Sequence, residues 1–305
     1  MKEFDYGLLK SERMRVVSKV RAKILEATRD WFKRYGYTEV QTPILVPVSQ
    51  ELESSSFSVQ YFDEKAHLAQ GAYPYSEALM ICLGKVYTIT PAFRAERSPT
   101  KRHLTEHWRI ECLAPELDLE DIMSVQENLI ADICRYLSKE ASEELNILEM
   151  ALSRIKLPFP RISYDEAIKI LQEDGINIFW GQEIEAEQEE HLSKKFNKPL
   201  FISHYPLGTQ TLLFKSHPQK TELALVADLL APKGYGEIAT CGQMIDGIEE
   251  LLKKMESEKI EEKNYKWHLD LKKFTSFTYS CFAIGVERLL MWICGLEHIK
   301  EATYF

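Results

Sequence analysis

The stretch FRAERSPTKRHLTEH, residues 93–107, carries the densest charge in the sequence and lies between strand-like patterns at 85–94 and 108–113. Because Ser98-Pro99 interrupts it, the stretch predicts a long loop joining two antiparallel strands. The loop concentrates basic residues in a chain whose net charge is −9, namely Arg94, Arg97, Lys101, Arg102 and His103. Guanidinium groups bind phosphate oxygens in a fixed fork, so the loop suits a polyphosphate; a solvated charged hairpin explains the charge equally well.

The remaining periodicity predicts helices and strands along the whole chain. Helical spacing marks 11–35, 76–83, 119–140, 164–172, 183–197, 242–256 and 283–294, with the 183–197 helix acidic and exposed. Strand patterns cover 37–43, 66–70, 85–94, 108–113, 200–203, 212–215 and 224–230. We expect Gly36 and Gly175 to end two of the helices. Strands joined by hairpins and loops, with helices outside, predict a single α+β domain over residues 1–305 on a mostly antiparallel sheet.

Composition narrows the class of protein. Of 305 residues, 45% are hydrophobic and 28% charged, which is the balance of a globular chain rather than a disordered one. Apolar runs such as 289–294 fall far short of the roughly 20 residues that a membrane-spanning helix needs. The acidic N-terminus does not resemble a signal peptide, so we expect a cytoplasmic protein. The six cysteines form no CxxC pair, which predicts buried, reduced thiols rather than a zinc or redox site.

Two further clusters could carry chemistry. In GYGEIATCGQ, residues 234–243, a glycine-flanked strand presents Glu237 and, three positions on, Thr240; a carboxylate and a hydroxyl can hold magnesium on nucleotide phosphates. In FAIGVERLL, residues 282–290, a strand runs into a helix with Arg288 near the junction. An arginine at a helix start is usually structural, so each cluster alone is weak. His103 and His107 are four residues apart, but they lie in a hairpin rather than on a helix, which does not favour a metal pair.

Taken together and in this order, the clusters resemble the catalytic domain of class II aminoacyl-tRNA synthetases, in particular the asparaginyl-/aspartyl-tRNA synthetase group. The helix and strand ending at Thr42-Pro43 resemble the first motif of that family, residues 93–106 the second and Gly285–Arg288 the third. Stretches 159–164, 227–237 and 267–271 extend the likeness over essentially the whole chain. The resemblance implies the class II fold, an ATP-dependent, AMP-forming ligase that uses Mg²⁺, and a homodimer formed through the first motif.

The resemblance also implies roles for individual residues. Arg94 and Arg288 would be catalytic, stabilising charge on the phosphates while a carboxylate attacks the α-phosphorus. The nucleotide would be bound by Arg94 at the α-phosphate, Glu96 at the adenine amino group, His103 and Arg288 at the γ-phosphate, and Leu104 and His107 beside them. Glu237 and Thr240 would hold magnesium. The amino acid substrate would be bound by Glu51 at its α-ammonium group and by Gln70, Tyr73, Glu111, Met244 and Gly285.

The chain departs from the family pattern at substrate-reading positions. Met244 stands where an arginine normally grips the side-chain oxygen of the substrate, and losing that hydrogen bond costs roughly 1.5–3 kcal/mol. Tyr73 replaces glutamine, and His107 replaces a phenylalanine that stacks on adenine. Cys281 and Ala283 replace glycines and narrow the pocket floor. The catalytic domain of the family begins almost where this chain begins, so we expect no N-terminal anticodon-binding OB-fold.

These departures leave the ATP site intact while the amino acid and tRNA determinants change. The sequence therefore favours an adenylate-forming enzyme that activates an aspartate- or asparagine-like carboxylate, free or peptide-borne. It would pass the acyl group to ammonia or an amine, with nitrile formation as a variant. One alternative is a stand-alone catalytic core that still charges tRNA, which the net charge of −9 does not favour. The other is a non-catalytic regulatory paralogue.

Overall fold

The computed structural model describes residues 7, 10–47, 55–96, 100–150, 152, 155–209, 213–257, 262, 265–274 and 277–304. Its helices are α1 (Glu12–Arg34), α2 (Tyr75–Leu83), α3 (Leu119–Glu140), α4 (Ser142–Ile147), α5 (Tyr164–Glu173), α6 (Ala186–Lys194), α7 (Ile248–Ser257), α8 (Lys266–Lys272) and α9 (Val286–Cys294). Its strands are β1 (Thr38–Glu39), β2 (Leu45–Val46), β3 (Ser58–Tyr61), β4 (Glu64–Leu68), β5 (Val86–Phe93), β6 (Glu106–Pro115), β7 (Arg161–Ser163), β8 (Leu200–Ser203), β9 (Val226–Ala231), β10 (Gly236–Gln243) and β11 (Tyr279–Gly285).

One large sheet organises the chain. Its eight strands run in the order β1-β5-β6-β11-β10-β9-β8-β7, and the six central strands pair antiparallel. Only the edge pairs β1–β5 and β7–β8 are parallel. A second sheet of three short strands, β2-β4-β3, lies beside it. The predicted α+β architecture with a mostly antiparallel sheet is confirmed.

The two faces of the large sheet have different partners because side chains alternate along each strand. On one face, Phe282 of β11 and Ile110 of β6 belong to a continuous core with α1, α3 and α9. Phe32 of α1 stacks on Tyr87 of β5 with ring centroids 4.0 Å apart. α1 and α3 are amphipathic and bury one stripe, whereas α9 is buried at every residue except Arg288. The opposite face is covered at one end by α5 and α6 and carries polar side chains at its centre.

Helices with sequence-encoded caps match the predictions closely. The predicted helix at 119–140 is α3, and Asp118 opens it with a capping box to Asp121. Ser163 and Glu166 form the same arrangement at the start of α5. Gly175, two residues beyond the end of α5, has a positive φ of 82°, which a side chain would disfavour. Local chemistry at these ends fixed the helix boundaries.

Two predicted helices were too long at their N-terminal ends. Residues 242–243 of the segment predicted as helix 242–256 belong to β10, and α7 begins only at Ile248. The helix predicted over 283–294 begins at Val286, because residues 279–285 form β11. β11 is a central strand whose floor-facing residues, Cys281, Ala283 and Gly285, are small and uncharged, so it lacks the polar alternation that identifies a strand in sequence.

Other expectations need smaller corrections. The strand predicted over 37–43 pairs only at Thr38–Glu39. Of the segment 212–215, residue 212 lies outside the described residues, and Phe214 forms only an isolated bridge to Met244. The acidic helix is not fully exposed, since Glu189 and Leu192 of α6 are buried.

Cys82 is exposed, whereas the other five cysteines are buried or half-buried, and all six are free thiols. The prediction of buried thiols was therefore wrong for Cys82, which lies near the end of α2. Within the described ranges, no helix combines the length and apolar character needed to cross a membrane.

Candidate active site

The centre of the open sheet face forms the floor of the site. Directly opposite residues of neighbouring antiparallel strands point to the same face. Glu111, Ala283, Thr240 and Asp228 follow one another across β6, β11, β10 and β9 in this way. In the next row, Arg109 lies opposite Gly285. Small residues on β11 therefore leave open space between polar side chains on both sides.

The three sequence clusters meet at Arg288. Its Nη1 donates to Glu237 Oε2 at 2.7 Å, and its Nη2 lies 3.0 Å from His103 Nε2. Arg102 from the same loop donates to the backbone carbonyl of Glu237 at 3.0 Å. The 100–103 loop, β10 and α9 thus converge on one point, as a shared polyphosphate site requires.

The neighbouring arginines Arg288 and Arg102 help to set the protonation states of Glu237 and His103. Burial opposes ionisation of Glu237, but the charges of Arg288 and Arg102 outweigh it and lower the pKa to about 2. Burial, together with the same two guanidinium groups, lowers the pKa of His103 to about 4. His103 is therefore neutral near pH 7. Because a guanidinium only donates, His103 Nε2 accepts from Arg288, and Nδ1 carries the proton beside Thr100 Oγ1.

Arg94 and Glu96 form an ion pair with each other, Nε to Oε1, at 2.8 Å. They line a cavity of about 40 Å³ together with His103, Leu104 and Thr105. A nucleotide is much larger than this cavity and would extend beyond it. Both side chains of the pair are nearly half exposed, so each can turn from its partner towards a ligand. The structure thus brings four predicted nucleotide-site residues together. Arg97, also noted for its charge, lies outside the described part of the chain.

His107 lies on β6 opposite Ala92. Burial, followed by the charges of Arg109, Arg288 and Arg94, lowers its pKa to about 3. A neutral imidazole near three guanidinium groups can stack on a flat ring without adding charge.

Magnesium would fit beside Glu237, where the structure adds a residue that the sequence analysis did not assign. Thr240 Oγ1 donates to Asp228 Oδ1 at 2.7 Å and lies 3.4 Å from Glu237 Oε1. Burial, and then the charge of Glu237, raises the pKa of Asp228 to about 8. Two facing carboxyl groups and a hydroxyl form an oxygen donor set, and Mg²⁺ is held by one or two carboxylates plus phosphate oxygens. No group of three or more His, Cys, Asp or Glu side chains in the described ranges could hold a metal ion by itself.

A loop closes over the floor at Gly71. A Cβ atom there would lie 2.8 Å from Glu111 Oε1 and 2.9 Å from Arg109 Nη1, so a side chain at this position would displace the ends of both side chains. The amide of Ala72 donates to Glu111 Oε2 at 3.0 Å. The side chain of Gln70 donates instead to Ser55 Oγ at 2.9 Å and is buried. The predicted Gln70 therefore anchors this loop through its side chain, while its carbonyl faces Arg109.

Met244 and Cys281 form a sulfur-lined end of the floor. Met244 is 2% exposed, and its Sδ lies 3.2 Å from the Cys281 thiol. Burial raises the pKa of that thiol to about 12, so it is neutral. Glu51, the predicted ligand of the α-ammonium group, falls outside the described residues.

A buried charge network that sequence reasoning missed forms the wall behind Met244. Lys272 Nζ donates to Glu77 Oε1 at 2.9 Å and to the carbonyl of Ile245 at 2.6 Å. His268 Nε2 lies 2.9 Å from Glu77 Oε2 and 2.9 Å from the hydroxyl of Tyr73. Because Glu77 and Lys272 are 195 residues apart, no local pattern could have linked them. Tyr73, predicted to contact substrate, is thus held by this network.

Comparison with known proteins agrees with this geometry. The sequence profile of tRNA synthetases class II (D, K and N) matches residues 3–305. The asparagine–tRNA ligase of Pyrococcus abyssi is 40% identical over 300 residues, covering 97% of this chain and 69% of the relative. Asparaginyl-tRNA synthetase from Pyrococcus horikoshii, solved with asparaginyl-adenylate, superimposes with a TM-score of 0.95 at 39% identity, covering 97% of this chain and 69% of that one. The Entamoeba histolytica enzyme, also solved with asparaginyl-adenylate, gives 0.92 at 26% identity, covering 100% and 71%.

Proposed function

Because the chain belongs to the class II tRNA synthetases of the D, K and N group and has their fold, we propose that it activates asparagine with ATP. The observation that carries the proposal is the meeting of Arg94, His103, Glu237 and Arg288 at one end of an open sheet face. Two solved relatives that superimpose on this chain contain asparaginyl-adenylate. The product would be an asparaginyl-adenylate, with pyrophosphate released.

The residues of the chain suit each part of this step. An oxygen of the substrate carboxylate would attack the α-phosphorus while the bond to the β-phosphate breaks. Arg94, released from Glu96, would lie against the α-phosphate and stabilise the developing charge. Arg288 would hold the departing phosphates, and the neutral His103 can donate or accept a hydrogen bond beside it. Magnesium, when bound near Glu237 and Asp228, would supply charge neutralisation on the phosphates.

For the acceptor, we place tRNA first, which revises the preference drawn from the sequence. The support is that relatives 40% identical over nearly the whole chain are tRNA ligases. A homodimer is part of the same proposal. Ammonia or an amine is the second candidate acceptor, favoured by one observation: the net charge of −9 opposes binding of a polyanion.

Magnesium-dependent exchange of pyrophosphate into ATP tests activation. We expect exchange with asparagine and its loss in Arg288→Gln, while Arg13→Gln, which removes a half-exposed arginine paired with Glu301, retains it. Equal exchange in the two variants would refute the assigned site.

The acceptor is tested next, with the preformed adenylate offered to tRNA, ammonia or hydroxylamine. Ester formation on tRNA would support the first candidate. Amide formation without any charging of tRNA would establish the second.

A further inference from the structure

Arg102 points away from the cavity that its neighbour His103 lines. The cavity beside Arg94 and Glu96 has His103 in its lining but not Arg102. The guanidinium of Arg102 instead lies on β10, where its Nη2 donates to the carbonyl of Glu237 at 3.0 Å. Although the sequence groups Arg102 with cations suited to a polyphosphate, the structure therefore directs its charge to the backbone of a strand.

Glu189 on α6 supplies the counter-charge for this arginine. Its Oε2 pairs with Arg102 Nη1 at 2.7 Å and also accepts from the backbone amide of Glu237 at 3.1 Å. The side chains of Arg102 and Glu189 are each only 11% exposed. Arg102 Nε has no hydrogen-bond acceptor among the described residues, so Glu189 and the Glu237 carbonyl compensate this buried cation. Removing one partner of such a pair leaves the other charge buried without compensation.

Gly236 allows the guanidinium to lie close to β10. A Cβ atom at this position would stand 2.7 Å from Arg102 Cζ and 3.1 Å from Glu189 Oε2. The φ of Gly236 is 66°, a conformation that glycine adopts readily and other residues rarely do. Arg102 and Glu189 thus meet over a residue without a side chain, and a side chain there would displace the guanidinium.

Arg102 connects this pair to the residues that meet at the candidate nucleotide site. Its carbonyl accepts from Arg288 Nε at 3.4 Å, and Arg288 in turn contacts His103 Nε2 and Glu237 Oε2. The segment that carries His103 is therefore fixed on β10 one residue before the imidazole. Glu189 is not part of the cavity lining, so its influence on that lining passes through Arg102.

We propose that Glu189 is a positioning residue for the reaction with ATP: it clasps Arg102 to β10 and thereby keeps His103 and Arg288 in place for the phosphates. The inference rests on the proposed function and goes beyond it, because it gives the acidic helix α6 a part in the step. Since the clasp of Glu189 and Arg102 holds the loop before the nucleotide arrives, less ordering is needed on binding. A displacement of about 1 Å in a positioned group can lower the rate about 100-fold.

Pyrophosphate exchange with Glu189→Gln and Glu190→Gln tests the proposal. Glutamine at 189 keeps the size of the side chain and an oxygen for the Glu237 amide, but it removes the charge that holds Arg102. We expect Glu189→Gln to lower kcat/KM for ATP about 10- to 100-fold and to leave the KM for asparagine unchanged. Glu190, the matched control, is half exposed and pairs with Lys194 on the same helix, so its variant should behave as the wild type. Equal ATP kinetics in the two variants would overturn the proposal.

A double-variant cycle shows whether Glu189 acts through Arg102. Arg102→Met should reproduce the loss, and Arg102→Met/Glu189→Gln should be no worse than Arg102→Met, because both changes remove the same contact. The double variant also removes both buried charges, so it should fold even where a single variant is unstable. Independent losses that multiply in the double variant would contradict positioning through Arg102.

Gly236→Ala disturbs the clasp without changing a charge. Gly175→Ala is its matched control, because Gly175 also has a positive φ, 82°, but a Cβ atom there meets nothing within 4 Å. Both variants strain the backbone, whereas only Gly236→Ala should lower kcat/KM for ATP. A loss in both variants, or in neither, would count against the clasp.

Deuterium uptake by the protein without ligands separates the clasp from the proposed function. In Glu189→Gln the amides of residues 100–103 should exchange about 10- to 100-fold faster than in the wild type, with no change in Glu190→Gln. Faster uptake supports the clasp even where the wild type shows no pyrophosphate exchange, in which case the proposed function alone fails. Uptake that Glu189→Gln leaves unaltered refutes the clasp while the function stands.

Discussion

Replacing Lys272 by methionine should destabilise the fold through the buried network behind Met244. Lys272 and Glu77 are 1% and 0% exposed, and their charged atoms lie 2.9 Å apart. The substitution keeps the length of the side chain and removes the charge, which leaves the buried carboxylate of Glu77 without its ammonium partner. Breaking a buried ion pair in this way costs about 3–5 kcal/mol. We expect the lower end, because His268 can take up a proton beside Glu77.

The expected change in melting temperature follows from chain length. The unfolding entropy is about 2.1 cal/mol/K per residue, hence about 0.64 kcal/mol/K for 305 residues. A loss of about 3 kcal/mol therefore lowers Tm by about 5 °C. Scanning calorimetry of the wild type and Lys272→Met at pH 7 measures it.

A neighbouring lysine provides the control. Lys273 pairs with Asp270 at the surface, where both side chains are more than half exposed, and exposed pairs contribute little. Lys273→Met should leave Tm almost unchanged. The double variant Glu77→Gln/Lys272→Met should recover part of the loss, since it removes both charges. Equal melting temperatures for Lys272→Met and Lys273→Met would refute the reasoning.

Three further outcomes are expected. The pKa of Glu77 is lowered to about 2, since the hydrogen bond from His268 and the charge of Lys272 outweigh burial. Its ionised form therefore stabilises the fold above pH about 4.5, and this stabilisation is lost as the pH falls from 4.5 towards 2. Urea titrations should show the stability advantage of the wild type over Glu77→Gln disappearing over that pH range. Gly71→Ala should raise the KM for asparagine about tenfold or more by displacing Arg109 and Glu111, whereas Gly208→Ala, where a Cβ meets nothing within 4 Å, should not; equal kinetics would contradict the close approach. Asp228→Asn should raise Tm at pH 7, because burial raises the pKa of Asp228 to about 8 and at pH 7 its carboxyl ionises fully only in the unfolded chain, which favours unfolding. The same variant should raise the magnesium concentration for half-maximal exchange about tenfold; unaltered magnesium dependence would remove Asp228 from the site.

The sequence predicted best those elements whose ends and faces are locally encoded. The amphipathic α1 and the capped α3 and α5 were located to within about two residues. Prediction failed at β11, because its alternate residues Cys281, Ala283 and Gly285 are small rather than polar, and periodicity cannot tell such a segment from a buried helix.

In the candidate site, too, residues in local sequence motifs could be predicted, whereas residues brought together by long-range contacts could not. The residues predicted to bind the nucleotide lie in dense charged motifs, and in the structure Arg94 and Arg288 each lie beside His103. Asp228 has no such motif, and its place in the site follows only from strand register. The network of Glu77 and Lys272 depends on a contact across 195 residues, which a single sequence does not reveal.

The alternation along β6 and β11 also has a consequence for how such an enzyme can change over evolutionary time. Positions 109, 111, 281 and 283 face the floor of the candidate site, whereas 110, 112, 282 and 284 lie in the helix-covered core. A point substitution at an odd-numbered position therefore alters ligand preference without repacking the interior. A single-residue insertion in either strand would turn the floor-facing side chains into the core and the core side chains onto the floor, which would disrupt both the site and the packing. Ligand specificity on this sheet can therefore change by residue substitution but not by insertion of a residue into a strand.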